Sequence, residues 1–371
     1  MIEQLTSLNN ELSKSIRNTG DVSAPSYMDL LELNKNKVRT TKFLSINTPS
    51  RLCTFLKTDF KDLEKLINHP LYITFKIMKK KGGTRDISAP DGQLKIIQKI
   101  LNNYLQTYYF GIKPSVVHGF VIHPKSLGKY CNIVANAQDH TNKRYVLNID
   151  LKDFFPSISA FQVKALFTSS LFNFPNQIAT ALTLLTTYEG RLPIGAPTSP
   201  ILSNFICKQL DADLISFAQI NGLSYTRYVD DLTFSSNMKI ENECLSDIRI
   251  IIKQNNFHVN EKKFHIQTSN RKQSVTGITV NEKVNIDRKL IKKIRAMLHD
   301  WSNNGLYKAA IRHFSCSSTE IDISRLEIRF TNRLEGYINF VGQVRGKSDP
   351  LFLRFKTTFK EIGKNERMKI E

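Results

Sequence analysis

The chain has 371 residues, 41% of them hydrophobic, with 53 Lys plus Arg against 33 Asp plus Glu and a net charge of +20. That length and apolar content exclude a disordered tail and leave room for two or three subdomains around sizeable cores. The positive excess points to a polyanionic partner, because phosphate neutralisation drives much of nucleic-acid affinity. Five scattered cysteines form no CxxC pair, which argues against a zinc ribbon or a disulfide framework. The opening segment MIEQLTSLNNELSKS has no apolar signal core, and no apolar run approaches the roughly 20 residues of a membrane span. A cytoplasmic location without a membrane partner is therefore expected.

Residues 1–70 read as a polar, mostly helical extension broken by Pro25, Pro49 and Pro70. Tyr72 to Met78 alternates like a strand, Gly82-Gly83 makes a turn, and Arg85-Asp86-Ile87 begins a return strand. Lys79 and Arg85 flank this turn as phosphate-binding candidates: Arg offers a planar fork and Lys a point charge. Lys76, Lys80 and Lys81 compete with Lys79 for that role. Leu94, Ile97, Leu101, Tyr104, Leu105 and Tyr108 recur at helical spacing. Tyr145 to Leu151 is a β-branched, apolar strand carrying Asp150 near its end, and Pro156 stops it. A carboxylate so placed is costly unless something pairs with it. Asp153 reads as a surface residue of the following turn.

After Pro200 a helix is expected with Leu202, Phe205, Ile206 and Leu210 on one face. Leu223 to Phe234 reads as a β-hairpin with Tyr228-Val229-Asp230-Asp231 at its tip. Adjacent acids repel, and hard oxygens at a strand turn suit Mg²⁺, although Asp also favours turns on its own account. Asp150, Asp230 and Asp231 from neighbouring strands could hold two Mg²⁺ about 3.5–4 Å apart, the arrangement used for in-line displacement at phosphorus. One ion would activate a 3′-hydroxyl, and the other would neutralise the triphosphate and the leaving pyrophosphate. Further on, Leu290, Ile294, Met297, Leu298 and Trp301 mark the buried face of a helix capped by Asp287. Arg325, Arg329 and Arg333 recur every fourth residue, a phosphate-facing stripe unless Glu327 and Glu335 neutralise it.

Together these segments resemble the palm of a reverse transcriptase. NIDLKDFFPSI (Asn148 to Ile158), LPIGAPTSP (Leu192 to Pro200) and YVDD resemble its catalytic motifs in order, KKKGGTRDISAP (Lys79 to Pro90) its fingers hairpin, and FHVNEKK (Phe257 to Lys263) the motif after the metal-binding turn. Asn136-Ala137-Gln138-Asp139-His140 matches the NAxxH signature, and Val275-Thr276-Gly277 the VTG signature, of retron reverse transcriptases. A buried or capping histidine and a turn glycine would produce the same strings.

The resemblance implies an α+β right-hand polymerase fold: an N-terminal extension at 1–70, fingers at 71–125, a palm at 126–284 and a basic helical thumb at 285–371. It implies Asp150, Leu151, Asp230 and Asp231 at a two-Mg²⁺ site, and Lys263, or its neighbour Lys262, as general acid to pyrophosphate. Lys79 and Arg85 would bind the incoming triphosphate. Phe155, or Phe154, would exclude a ribose 2′-hydroxyl. Gly195 and Ala196 would let the backbone approach the template base pair. The family usually has Gln before this glycine, and Ile194 stands there instead, which puts nucleotide affinity or processivity in question. Asn136, His140, Val275, Thr276, Gly277 and the three arginines would face nucleic acid.

Retron membership further implies copying of the protein's own structured noncoding RNA, priming from a guanosine 2′-hydroxyl, a branched RNA-linked DNA (msDNA), and antiphage defence with a co-encoded effector. A group II intron-like reverse transcriptase and a noncatalytic RNA-binding scaffold are the alternatives. No RNase H motif is recognisable.

Overall fold

The computed structural model describes residues 27–79, 82–122, 131–314 and 323–368. The chain packs as two compact units that interleave in sequence. The first takes the described residues within Met1–Lys113, Val121–Tyr130 and Ile158–Ile206; the second takes those within Pro114–Phe120, Cys131–Ser157 and Cys207–Glu371.

In the first unit, strands β1 (Tyr72–Met78) and β2 (Thr84–Pro90) form an antiparallel hairpin in the register Met78↔Thr84 and Tyr72↔Pro90. Its turn is closed by the Lys79 N–H on the Gly83 carbonyl at 2.9 Å. Lys80 and Lys81 lie outside the described residues. The long helix Gly92–Ile112 buries Leu94, Ile97, Leu101, Leu105 and Tyr109. Its spacing is that of an amphipathic helix with one face on the core. Gln98 sits on the same face at 0% exposure. Such a buried amide must be hydrogen-bonded, and its Nε2 reaches the Leu185 carbonyl at 2.9 Å and the Tyr72 hydroxyl at 3.0 Å. Around this helix Phe43, Phe55, Phe172, Phe174 and Phe205 pack edge-on, tilted or, for Phe172 on Phe174, stacked, with centroids 5.0–6.1 Å apart. Phe and Tyr supply large buried area, so this aromatic cluster carries much of the unit's core.

The second unit is built on a four-stranded antiparallel sheet in the order β4-β5-β3-β6. Its members are β3 (Tyr145–Asp150), β4 (Ser224–Tyr228), β5 (Asp231–Ser236) and β6 (His265–Thr268). Val146, Leu147 and Ile149 of the central strand β3 are buried on both faces. The expected single helix after Pro200 is two: Ser199–Ile206 and Lys208–Ile220, separated at Cys207. Leu202, Phe205 and Leu210 are buried as expected, and Ile206 is half-buried. A short pair, β7 (Ser274–Val275) and β8 (Ile278–Thr279), leads into the helices Arg288–Asn304, Leu306–Phe314, Ile323–Arg345 and Pro350–Met368. These close around Ile294, Met297, Trp301, Phe330, Leu334 and Phe355. Asp287 caps the first of them, accepting the Lys289 N–H at 2.8 Å. No described helix is long and apolar enough to cross a membrane.

Candidate active site

The register of the sheet brings the acids together. Asp150, the last residue of β3, lies directly opposite Asp231, the first of β5. Asp231 in turn pairs with Tyr228 of β4, so Val229 and Asp230 form a two-residue turn. Like charges directly opposite in a sheet are destabilising. Burial pushes the Asp231 carboxyl up to about 7, and the charges of Asp230 and then Asp150 add to the shift, while Lys263 opposes it. The Asp231 side chain keeps access to solvent even so.

Both oxygens of the buried Asp150 are engaged: Lys263 Nζ donates to Oδ1 at 2.6 Å, and Asn260 Nδ2 to Oδ2 at 2.9 Å. Lys263, and not Lys262, is the lysine that reaches the carboxylates. Burial lowers the Lys263 pKa, but its hydrogen bond to Asp150 and the charges of the three aspartates outweigh this and raise it. Among the described residues, no three His, Cys, Asp or Glu side chains close a ready metal cage. The donor chemistry fits a hard divalent cation nonetheless: carboxylate oxygens that repel one another, with a lysine in the place of a counter-ion. Leu151 is buried, and its N–H donates to the Asp230 carbonyl at 3.0 Å.

The turn is strained and braced. Val229 has φ +64°, a conformation β-branched residues rarely adopt. Arg227 Nη1 holds the Val229 carbonyl at 3.2 Å. The rest of that guanidinium forks onto Asp211, Nε to Oδ1 and Nη2 to Oδ2, both at 2.7 Å and both partners at 0% exposure. The Tyr225 hydroxyl completes the Asp211 shell at 3.0 Å. Residues 116–118 run alongside β4, with the Arg227 N–H on the Val116 carbonyl and the His118 N–H on the Arg227 carbonyl. This sets Gly119 against the turn so closely that a Cβ there would stand 2.6 Å from the Val229 nitrogen. Arg227, Asp211 and Gly119 were not foreseen. The one available signal is Arg227 itself, a charge inside an apolar strand that demands a buried acid.

The aromatic pair divides clearly. Phe154 is buried and stacks on Phe257 at 5.7 Å, while Phe155 is only half-buried, 6.1 Å from Phe120. Both sit on the helical turn Phe154–Ser157, not on a strand. Asp153 is exposed at φ +46°, a turn residue as expected.

In the first unit Lys79 and Arg85 are exposed beside the glycine turn, and Lys76 pairs with Asp86 at 4.0 Å. Gly195 has φ +116°, and a Cβ there would meet Ile87 Cγ2 at 2.8 Å. The close approach that requires this glycine is therefore to β2, where the Ser88 N–H also donates to the Ile194 carbonyl at 2.8 Å. Ala196 is 4% exposed, its methyl packed inside the unit.

Most residues of the two signature motifs lie inside the fold. His140 is fully buried, with Nδ1 on Ser235 Oγ and Nε2 on Thr226 Oγ1, each at 2.7 Å. Burial pushes its pKa down to about 3; Asp139 opposes this, and His118 and Lys143 reinforce it. Asn136 and Val275 are buried too. His140 thus ties β4 to β5, whereas the buried Asn136 amide has no hydrogen-bond partner among the described residues. Thr276, at φ +48°, ties the second motif to the start of the helix Ile133–Gln138 through its Oγ1 on the Ile133 carbonyl at 3.3 Å, and Gly277 is exposed at φ +83°. In the last unit's helices, Arg325, Arg329 and Arg333 are exposed while Leu326, Phe330 and Leu334 are buried. The guanidiniums of Arg329 and Arg333 lie 5.2 and 4.7 Å from the Phe314 ring centre.

Residues 77–280 match the model of the reverse transcriptase (RNA-dependent DNA polymerase) family, and the chain belongs to that family, with its right-hand polymerase fold. Within it the chain is retron-type. It is 33% identical over 288 residues to the Ec86 retron reverse transcriptase of Escherichia coli, covering 76% of this chain and 78% of that protein. It is 34% identical over 250 residues to the Mx65 retron reverse transcriptase of Myxococcus xanthus, covering 62% of this chain but only 55% of that protein.

Proposed function

We propose that the chain is an RNA-directed DNA polymerase that copies its own structured noncoding RNA. The observation that carries the reading is the carboxylate group at the sheet end: Asp150 opposite Asp231, with Asp230 in the adjoining turn, in a chain of the reverse transcriptase family. Asp150, Asp230 and Asp231, with the backbone of Leu151, would hold Mg²⁺, two ions in the complete site. Bound there, the metal would supply Lewis-acid stabilisation of the phosphoryl oxygens and of the attacking hydroxyl. The chain's own part is to hold the acids in place through Arg227 and Asn260. For a metal to use Asp150, Lys263 must move off it, and the freed ammonium is then available to protonate pyrophosphate.

Phe155, with its ring half-open, is the steric gate against ribonucleotides, and Arg85 with Lys79 takes triphosphate. Gly195 acts by packing beside β2. The functional division is an extension at 1–70, fingers at 71–125, a palm at 126–284 and a thumb at 285–371. The thumb's Arg325, Arg329 and Arg333 follow a phosphate backbone, and Thr276 and Gly277 are the signature residues exposed enough to touch RNA. Priming from an RNA 2′-hydroxyl, an msDNA product and antiphage defence with a co-encoded effector complete the proposal.

Asp230→Asn tests the metal assignment, because the amide keeps the shape and removes the charge. Primer extension should be abolished while the thermal melt and RNA binding stay near wild type; wild-type extension in the variant rejects the site. Sequencing the nucleic acid that copurifies tests the substrate. Branched DNA joined to one RNA species supports the reading, and RNA alone supports a scaffold.

A further inference from the structure

We infer that a groove in the first unit, between the helices Tyr27–Leu44, Pro49–Leu56 and Gly92–Ile112, binds a single-stranded RNA segment one or two nucleotides deep. The inference rests on the reading above that this chain handles a structured RNA. It assigns that RNA a contact made by the N-terminal helices and the long helix, together with Ile122.

The groove encloses about 680 Å³, and its described lining contains Lys35, Arg39 and Lys57 and no acidic side chain. That volume suits a small ligand or an unstacked nucleotide, not the side of a duplex. Two local features set cations here at a structural cost. Lys35 and Arg39 stand i, i+4 on one helix, where like charges repel by about 0.2–0.5 kcal/mol. Lys57 occupies the left-handed C-cap of Pro49–Leu56 at φ +57°, a position that favours Gly or Asn. Both costs deliver positive charge to the same groove.

The floor carries the chemistry of a base. Asn103 and Thr107 are one turn apart on the long helix; the Thr107 hydroxyl donates to the Asn103 carbonyl at 2.8 Å, which leaves its oxygen to accept beside the Asn103 side-chain amide. Between them is Tyr104, half-buried, its ring held 4.5 Å from Phe55 and 6.1 Å from Phe43. A fixed aromatic edge beside donors and acceptors, rimmed by cations, is how proteins take splayed single-stranded bases. An acidic peptide would use the cations but leave the amide and ring without a purpose.

The experiment uses the full chain, a labelled 12-nucleotide single-stranded RNA, and the same sequence as an RNA duplex. Lys35→Gln, Arg39→Gln and Lys57→Gln are combined. Single-strand affinity should fall on the order of tenfold at 0.1 M salt, and the salt slope should drop by about 2, roughly 0.7 per lost phosphate contact. Duplex affinity and extension of a saturating primer-template should stay within about twofold. Acetylation footprinting of the wild type should show Lys35 and Lys57 protected by the single strand. Asn103→Asp, which places a negative charge on the floor without loss of volume, should weaken single-strand binding even if the triple variant melts early. An unchanged slope, unprotected lysines or an equal loss for duplex would overturn the assignment. So would a glutamate-rich 12-residue peptide that displaces the RNA and binds more tightly. A wild type that shows the footprint yet extends no primer sinks the polymerase reading and leaves the groove standing; extension without the footprint does the reverse.

Discussion

The brace beneath the aspartate turn makes a prediction in which stability and catalysis part company. Replacing Arg227 alone with Met leaves Asp211 at 0% exposure, facing only uncharged groups such as the Tyr225 hydroxyl. Breaking one side of a buried pair costs about 3–5 kcal/mol. Against a typical folding stability of about 5–15 kcal/mol, that is a large fraction. Replacing Arg227→Met, Asp211→Leu and Tyr225→Phe together removes both charges and the stranded hydroxyl. Apolar replacement of a whole buried pair is commonly neutral or stabilising, so urea unfolding should recover to within about 1–2 kcal/mol of wild type. Catalysis should not recover. The Val229 carbonyl has still lost its donor at 3.2 Å. A hydrogen bond worth about 1–1.5 kcal/mol in holding the strained turn corresponds to roughly a tenfold loss of rate. Single-turnover nucleotide incorporation at saturating Mg²⁺ reads this directly. A stable Arg227→Met variant, or a triple variant with wild-type rate, would refute the brace.

Phe155→Ala should admit ribonucleotides in single-nucleotide competition, whereas Phe154→Ala, which removes a buried ring, should lower the melting temperature instead; the opposite pattern assigns the gate to the wrong ring. His140, held near 3 when folded against about 6.5 unfolded, binds fewer protons in the native state across that window, so stability is lost as pH falls through it. Wild type should lose several kcal/mol between pH 7 and 4 that His140→Gln does not lose, measured by urea midpoints at both pH values; parallel losses would show that other groups drive the acid unfolding. Converting Arg325, Arg329 and Arg333 to Gln should flatten the salt dependence of hybrid binding by up to about 3 units of slope and spare single-nucleotide chemistry. An unchanged slope leaves the stripe as surface.

What was legible in the sequence obeyed short periods. The acids at two strand ends, the Leu94-to-Leu105 face and the Ile294-to-Trp301 face all follow from spacings of two or of three and four. The division between Phe154 and Phe155 was readable as a pair, but the order within it required Phe257 as the buried neighbour. Tertiary partners were not readable. Asp211 and Arg227 are sixteen positions apart on different elements, and Gly119 matters only because another backbone passes within contact. The motif string left a buried His140 open, but its partners, the hydroxyls of Thr226 and Ser235 that satisfy the imidazole inside the sheet, lie far away in sequence. The helix after Pro200 looked continuous because both pieces keep apolar residues in phase across Cys207.

The break at Cys207 coincides with one of five passages of the chain between the two units, at 113/114, 120/121, 130/131, 157/158 and 206/207. During synthesis the first unit has all its segments once residue 206 has emerged. The second must then hold two early segments, including the strand that carries Asp150, unpaired until β5 and β6 arrive. Long-range strand pairing of that kind is slow and leaves apolar edges open to misassembly. A chain stopped soon after residue 206 would therefore hold every segment of the first unit yet lack Asp230 and Asp231, and with them the polymerase centre.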